Sequence, residues 1–117
     1  MKKTELLEIL EHPKGRIICV DMDMTLCNGI WWGHDDPDPE PIKEMVDFVD
    51  KLAHKEACII IYSARQPELY PETLAWLIKH RVHFTGICLG VKPAASVYID
   101  DRALNPEDLV DIVSTQE

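Results

Sequence analysis

Two stretches of the chain, RIICVDM (16–22) and ACIIIYSA (57–64), are apolar at four or more consecutive positions. A strand with one wet face alternates apolar and polar residues. A strand covered on both faces reads as a continuous apolar run, which is the condition of a parallel sheet between helices. Between the two runs lies PIKEMVDFVDKLAHK, where Ile42, Met45, Val46, Val49 and Leu52 recur at helical spacing and Pro41 suits a first turn. The pattern then repeats. ETLAWLIKHR predicts a helix with Leu74, Leu77 and Ile78 inward, FTGICLG and SVYIDD predict short third and fourth strands, and NPEDLVDIV predicts a closing helix capped by Asn105 with Pro106 at its first position. Thr4 to His12 predicts a leading helix with Leu6, Leu7 and Leu10 on one face, broken by Pro13-Lys14-Gly15. Strand–helix alternation predicts an α/β fold, a Rossmann-like three-layer sandwich with a mostly parallel sheet, over the single domain 1–117.

Charge narrows the function classes. With 21 acidic and 12 basic residues the net charge is −9, which argues against a non-specific nucleic-acid surface. It leaves room for a small phosphorylated substrate, because a metal and local basic groups reverse the sign inside a site. Cys19, Cys27, Cys58 and Cys88 contain no CxxC pair, and three of them fall in apolar runs, so they read as small buried hydrophobes in a reducing compartment. The start MKKTELLEIL does not have the make-up of a signal peptide, and no apolar run approaches membrane-spanning length. The expectation is a cytoplasmic protein with no membrane partner.

The polar residues sit where the apolar runs end. Asp21 and Asp23 close the first strand, Ser63 the second, Asp100 and Asp101 the fourth, and Lys92 lies in the loop before it. In open α/β sheets ligands bind beyond the carboxyl ends of the strands, so this topology predicts one shared site. Clustered carboxylates need a cation or a shared proton. Hard oxygen donors suit Mg²⁺, which takes one or two carboxylates and completes its shell with waters and phosphate oxygens. Asp21 is then a candidate nucleophile on phosphorus, Asp23 a candidate acid and base, and Ser63 and Lys92 candidates to hold the phosphoryl oxygens.

In order along the chain, DMDMT after a strand, IIIYSAR, VKP and VYIDD resemble the four motifs of the haloacid dehalogenase superfamily of phosphotransferases. YIDDRALNPEDL, with AWLIKH and KP before it, is further similar to small bacterial and phage phosphatases of the capsule-biosynthesis type, and SAR to the phosphatase domain of polynucleotide kinases. The resemblance implies a phosphomonoester hydrolase working through an aspartyl-phosphate. Asp21 would be nucleophile and metal ligand. Asp23 would be acid/base and would bind metal through its backbone carbonyl, with Thr25 orienting it. Asp100 would ligate metal directly, and Asp101 directly or through water. Met24 departs from the family, where glycine is most frequent at that position.

Thirty-seven residues separate Thr25 from Ser63, and 28 separate Ser63 from Lys92. One helix and one strand consume most of each gap, so the chain resembles the capless members, with a flap over about 26–40. Trp32 in that flap and Arg65 after Ser63 are candidate substrate contacts, with flap packing and a structural ion pair as their respective alternatives. His80 and His83 have HxxH spacing but no third ligand nearby, and read as surface residues. A phosphorylated small molecule is the expected substrate; a polynucleotide 3′ end and a homo-oligomer stay open. Two other function classes remain: a catalytically inactive binding module, and a phosphoryl-accepting receiver-like domain, whose motif order differs.

Overall fold

A computed structural model describes residues 2–28, 38–91 and 93–100. Its elements in chain order are α1 (Lys3–Glu11), β1 (Ile17–Asp21), α2 (Lys43–His54), β2 (Cys58–Ser63), a 3₁₀ turn (Pro67–Leu69), α3 (Tyr70–Lys79), β3 (Gly86–Leu89) and β4 (Val97–Ile99). The expected closing helix, with Asn105 and Pro106, lies outside the described residues.

The four strands form one sheet in the order β3-β2-β1-β4, and every pairing is parallel. The register runs Asp21 opposite Tyr62, Val20 opposite Ile61 and Ile99, and Ser63 opposite Leu89. Alternation then assigns the two faces. Ile18, Val20, Ile59, Ile61 and Val97 turn to one side, where they form a buried core with Val49 and Leu52 of α2 and Trp76 and Leu77 of α3. Leu6, Ile9 and Leu10 of α1 pack against the same core. The other face carries Cys19, Ile60, Tyr62 and Tyr98. This is a Rossmann-like α/β fold, as the continuous apolar runs predicted.

Two local expectations are corrected. Pro41 precedes α2 instead of opening it: it bridges antiparallel to Cys27, Ile42 donates its N–H to the Leu26 carbonyl, and the helix begins at Lys43. Ile78 is exposed, and the inward residues of α3 are Thr73, Trp76 and Leu77. Positions 73, 76 and 77 share one helical face, and residue 78 is rotated about 100° past its neighbour, toward solvent. Among the described residues no helix is long and apolar enough to cross a membrane.

Candidate functional site

Strand order locates the site. β1 connects onward to β2 on one side, while β4 joins it on the other, so the chain reverses direction across the sheet between β1 and β4. A crevice opens at the carboxyl end of such a switch point. Asp21 is the last residue of β1, and Asp100 follows β4 directly, one step beyond the Val20–Ile99 pair. The two carboxylates therefore stand on neighbouring strand ends, which lie about 4.8 Å apart in a sheet.

Beyond Asp21 the backbone turns back on itself. The carbonyl of Met22 accepts from the N–H groups of Thr25, Leu26 and Cys27 at 3.2, 2.8 and 3.2 Å, and the Met24 N–H returns to the Cys27 carbonyl at 3.0 Å. The turn requires a left-handed residue, and Met24 supplies it at φ 65°. Glycine adopts that conformation without steric cost, and Met24 holds it at a cost of about 1–2 kcal/mol. Thr25 was expected to orient Asp23. Its hydroxyl instead lies 3.5 Å from Oδ2 of Asp21, because the turn folds Thr25 back over the strand end.

Asp23 is held by Arg65. Nε of Arg65 donates to Oδ2 at 3.1 Å and Nη2 to Oδ1 at 2.5 Å, a two-point fork. Nη1 donates to the Thr73 hydroxyl of α3 at 3.1 Å, and Arg65 is only 1% exposed. Of the two roles open to Arg65, substrate contact and structural ion pair, this geometry is that of the ion pair. The backbone N–H of Arg65 also donates to Oγ of Ser63 at 3.1 Å. That leaves the serine its own O–H as a donor at the strand end. Cys27 lies under the same turn with its Sγ 3.7 Å from Oδ1 of Asp23. Burial, with the Asp23 carboxylate beside it, pushes the Cys27 thiol up to about 12.

Across the sheet, the Tyr62 hydroxyl donates to Oδ2 of Asp100 at 2.5 Å. Burial first, and then this carboxylate, raise the tyrosine's pKa, so the phenol keeps its proton. Tyr62, Thr73 and Cys27 are site neighbours that sequence reasoning missed. Their types are unremarkable in a strand, a helix and a turn, and only the register reveals their partners. Lys92, Asp101 and Trp32 lie outside the described residues. A recess of about 220 Å³ lined by Tyr62, Ser63, Ala64, Gly90 and Val91 opens beside Ser63.

His80 and His83 do not share a ligand: His80 meets Asp38 at 2.8 Å, and His83 meets Asp50 at 2.6 Å. Among the described residues no three His, Cys, Asp or Glu side chains converge to cage a metal ion. Mg²⁺ does not require such a cage. One or two carboxylates suffice when waters and a phosphate complete the shell. Asp21 and Asp100, hard donors on adjacent strand ends, fit that requirement.

No protein-family model matches the chain, and no curated protein matches it. Two solved structures do. One is the crystal structure of an MCSG target from Vibrio cholerae, 24% identical, with a TM-score of 0.56 over 87% of this chain and 99% of that one. The other is a conserved protein from Bacteroides thetaiotaomicron, 21% identical, with a TM-score of 0.60 over 87% of this chain and 92% of that one. At these identities the likeness is one of fold, and the fold is the parallel-sheet α/β architecture described above.

Proposed function

We propose that this chain is a Mg²⁺-dependent phosphomonoester hydrolase of the haloacid dehalogenase type, without a cap domain. The observation that carries the proposal is the placement of Asp21 and Asp100 on adjacent strand ends at the switch point, with Asp23, just beyond Asp21 in the chain, gripped by a buried arginine. The order of the motif-like segments along the chain supports it independently. The strand order β3-β2-β1-β4 also counts against a receiver-like domain, whose sheet runs 2-1-3-4-5.

In the proposed reaction a carboxylate oxygen of Asp21 attacks phosphorus, the ester P–O bond breaks, and Asp23 gives its proton to the departing alcohol oxygen. Water then attacks the aspartyl-phosphate. Asp23 takes back a proton from that water, phosphate departs, and Asp21 is regenerated. Arg65 fixes the plane of the Asp23 carboxylate in the resting site, and one arm of that fork opens when Asp23 carries the proton. Ser63, from its hydroxyl, and Lys92 neutralise the phosphoryl oxygens. Asp21 and Asp100, with Asp101, would hold a Mg²⁺, which when bound screens the anionic nucleophile from the anionic substrate.

The test is phosphate release from a panel of phosphorylated metabolites and 3′-phosphorylated oligonucleotides, with Mg²⁺ and with EDTA. Turnover is expected with Mg²⁺, and it should vanish in Asp21→Asn and in EDTA. Retained turnover in Asp21→Asn would sink the mechanism, and silence on every substrate would favour a binding module.

A further inference from the structure

Tyr62 and Asp100 lie on opposite sides of β1. Tyr62 sits on β2 in register with Asp21, and Asp100 follows β4, two strands away. Two strand spacings amount to about 9.6 Å. The tyrosine must therefore lean across the end of β1, beside Asp21, to deliver its hydroxyl to Oδ2 of Asp100 at 2.5 Å. A residue filling space on this face would have no need of that reach, nor of a polar tip directed at a carboxylate.

The ring is fixed from a second side. Tyr98, two residues before Asp100, meets it edge-on, with ring centroids 6.1 Å apart and planes at 86°. The Tyr98 hydroxyl in turn donates to the Pro93 carbonyl at 2.6 Å, on the residue that follows Lys92 in the chain. Tyr62 is 7% exposed, so its hydrogen bond to Asp100 is sheltered from competing water.

We infer that Tyr62 is a positioning residue for a divalent cation at Asp100, acting by fixing that carboxylate through its hydrogen bond at the strand end next to Asp21. The inference rests on the hydrolase reading for the presence of the cation, and adds a residue that reading does not contain. Groups that hydrogen-bond metal-ligating carboxylates orient them, and their removal typically costs about 10–100-fold in metal affinity. Replacing Tyr62 with phenylalanine removes the hydroxyl and keeps the ring, its packing and its contact with Tyr98.

The experiment is a calorimetric titration of Mg²⁺ into the substrate-free protein, paired with thermal unfolding with and without Mg²⁺. Wild type, Tyr62→Phe and, as the ligand-loss control, Asp100→Asn are compared. Wild type is expected to bind Mg²⁺ and to gain melting temperature from it. Tyr62→Phe should bind about 10–100-fold more weakly, while melting within a few degrees of wild type without the ion. Its phosphate release should need more Mg²⁺ for half-activation and reach nearly the same kcat at saturation. Equal Mg²⁺ affinity in wild type and Tyr62→Phe overturns the inference and leaves the hydrolase reading standing. Mg²⁺ binding weakened by Tyr62→Phe in a protein that hydrolyses no phosphomonoester overturns that reading and upholds the positioning role. A wild type that binds no Mg²⁺ overturns both.

Discussion

Asp23 carries a structural duty as well as its proposed chemical one, and the two can be separated by substitution. Its carboxylate is the two-point partner of the guanidinium of Arg65, whose side chain is wholly buried. Removing one member of such a pair strands the other charge in the interior, a loss on the order of 3–5 kcal/mol. Asp23→Ala should therefore lower the urea midpoint strongly. Asp23→Asn keeps an oxygen for the fork and should lose clearly less stability while losing turnover as fully. Equal midpoints for the two variants would mean that the pair does not support the fold. Arg65→Lys is a poor replacement for the same reason, since an ammonium cannot span both oxygens and Thr73 at once.

At the scale of elements, α3 decides more than its length suggests. Its inner face buries Trp76 and Leu77 against the sheet, and Thr73 on that face meets Arg65, so the helix braces the Arg65–Asp23 pair. Its last turn also holds the chain where it returns from the expected flap region. Nε1 of Trp76 donates to the Pro39 carbonyl at 2.8 Å, and Lys79 and His80 both bond to Asp38. The hydrogen bond from Lys79, and then that with His80, hold the Asp38 carboxyl below the ordinary aspartate value. Leu77→Ala should cost about 2–5 kcal/mol, the range for emptying a packed core site. Ile78→Ala, one position along on the exposed face, should stay within about 0.5 kcal/mol. Chemical denaturation of the two variants checks the assignment of faces, and similar losses at both would refute it.

Over the whole molecule, two buried acids shape stability against pH. The Cys27 thiol is pushed from 9.0 up to about 12, and the Tyr62 phenol is raised as well. Each group is neutral when protonated, so the folded state holds its proton more tightly than the unfolded chain does. That stabilisation is fully present below the ordinary thiol value of 9.0 and drains away as pH climbs from there toward about 12. The melting temperature should therefore fall between pH 9 and 11, and Cys27→Ala should flatten the fall. An unchanged slope in that variant would remove Cys27 from the account.

Continuous apolar runs, helical spacing and acids at strand ends were readable along the chain, because each is imposed locally. A strand buried on both faces must be apolar throughout, and a helix with one buried face must repeat every third or fourth residue. Those local rules were enough to predict a parallel α/β sheet and to assign Asp21, Ser63 and Asp100 to its carboxyl edge. They said nothing of which strand lies beside which. The neighbours β1 and β4, the grip of Arg65 on Asp23 across 42 residues, and the reach of Tyr62 to Asp100 across 38 follow from that order. Thr25 likewise turned to Asp21 instead of Asp23, because the left-handed bend at Met24 folds the turn back on the strand. Contacts this distant leave no periodicity in the sequence. They exist only once burial of the strands has brought their carboxyl ends together.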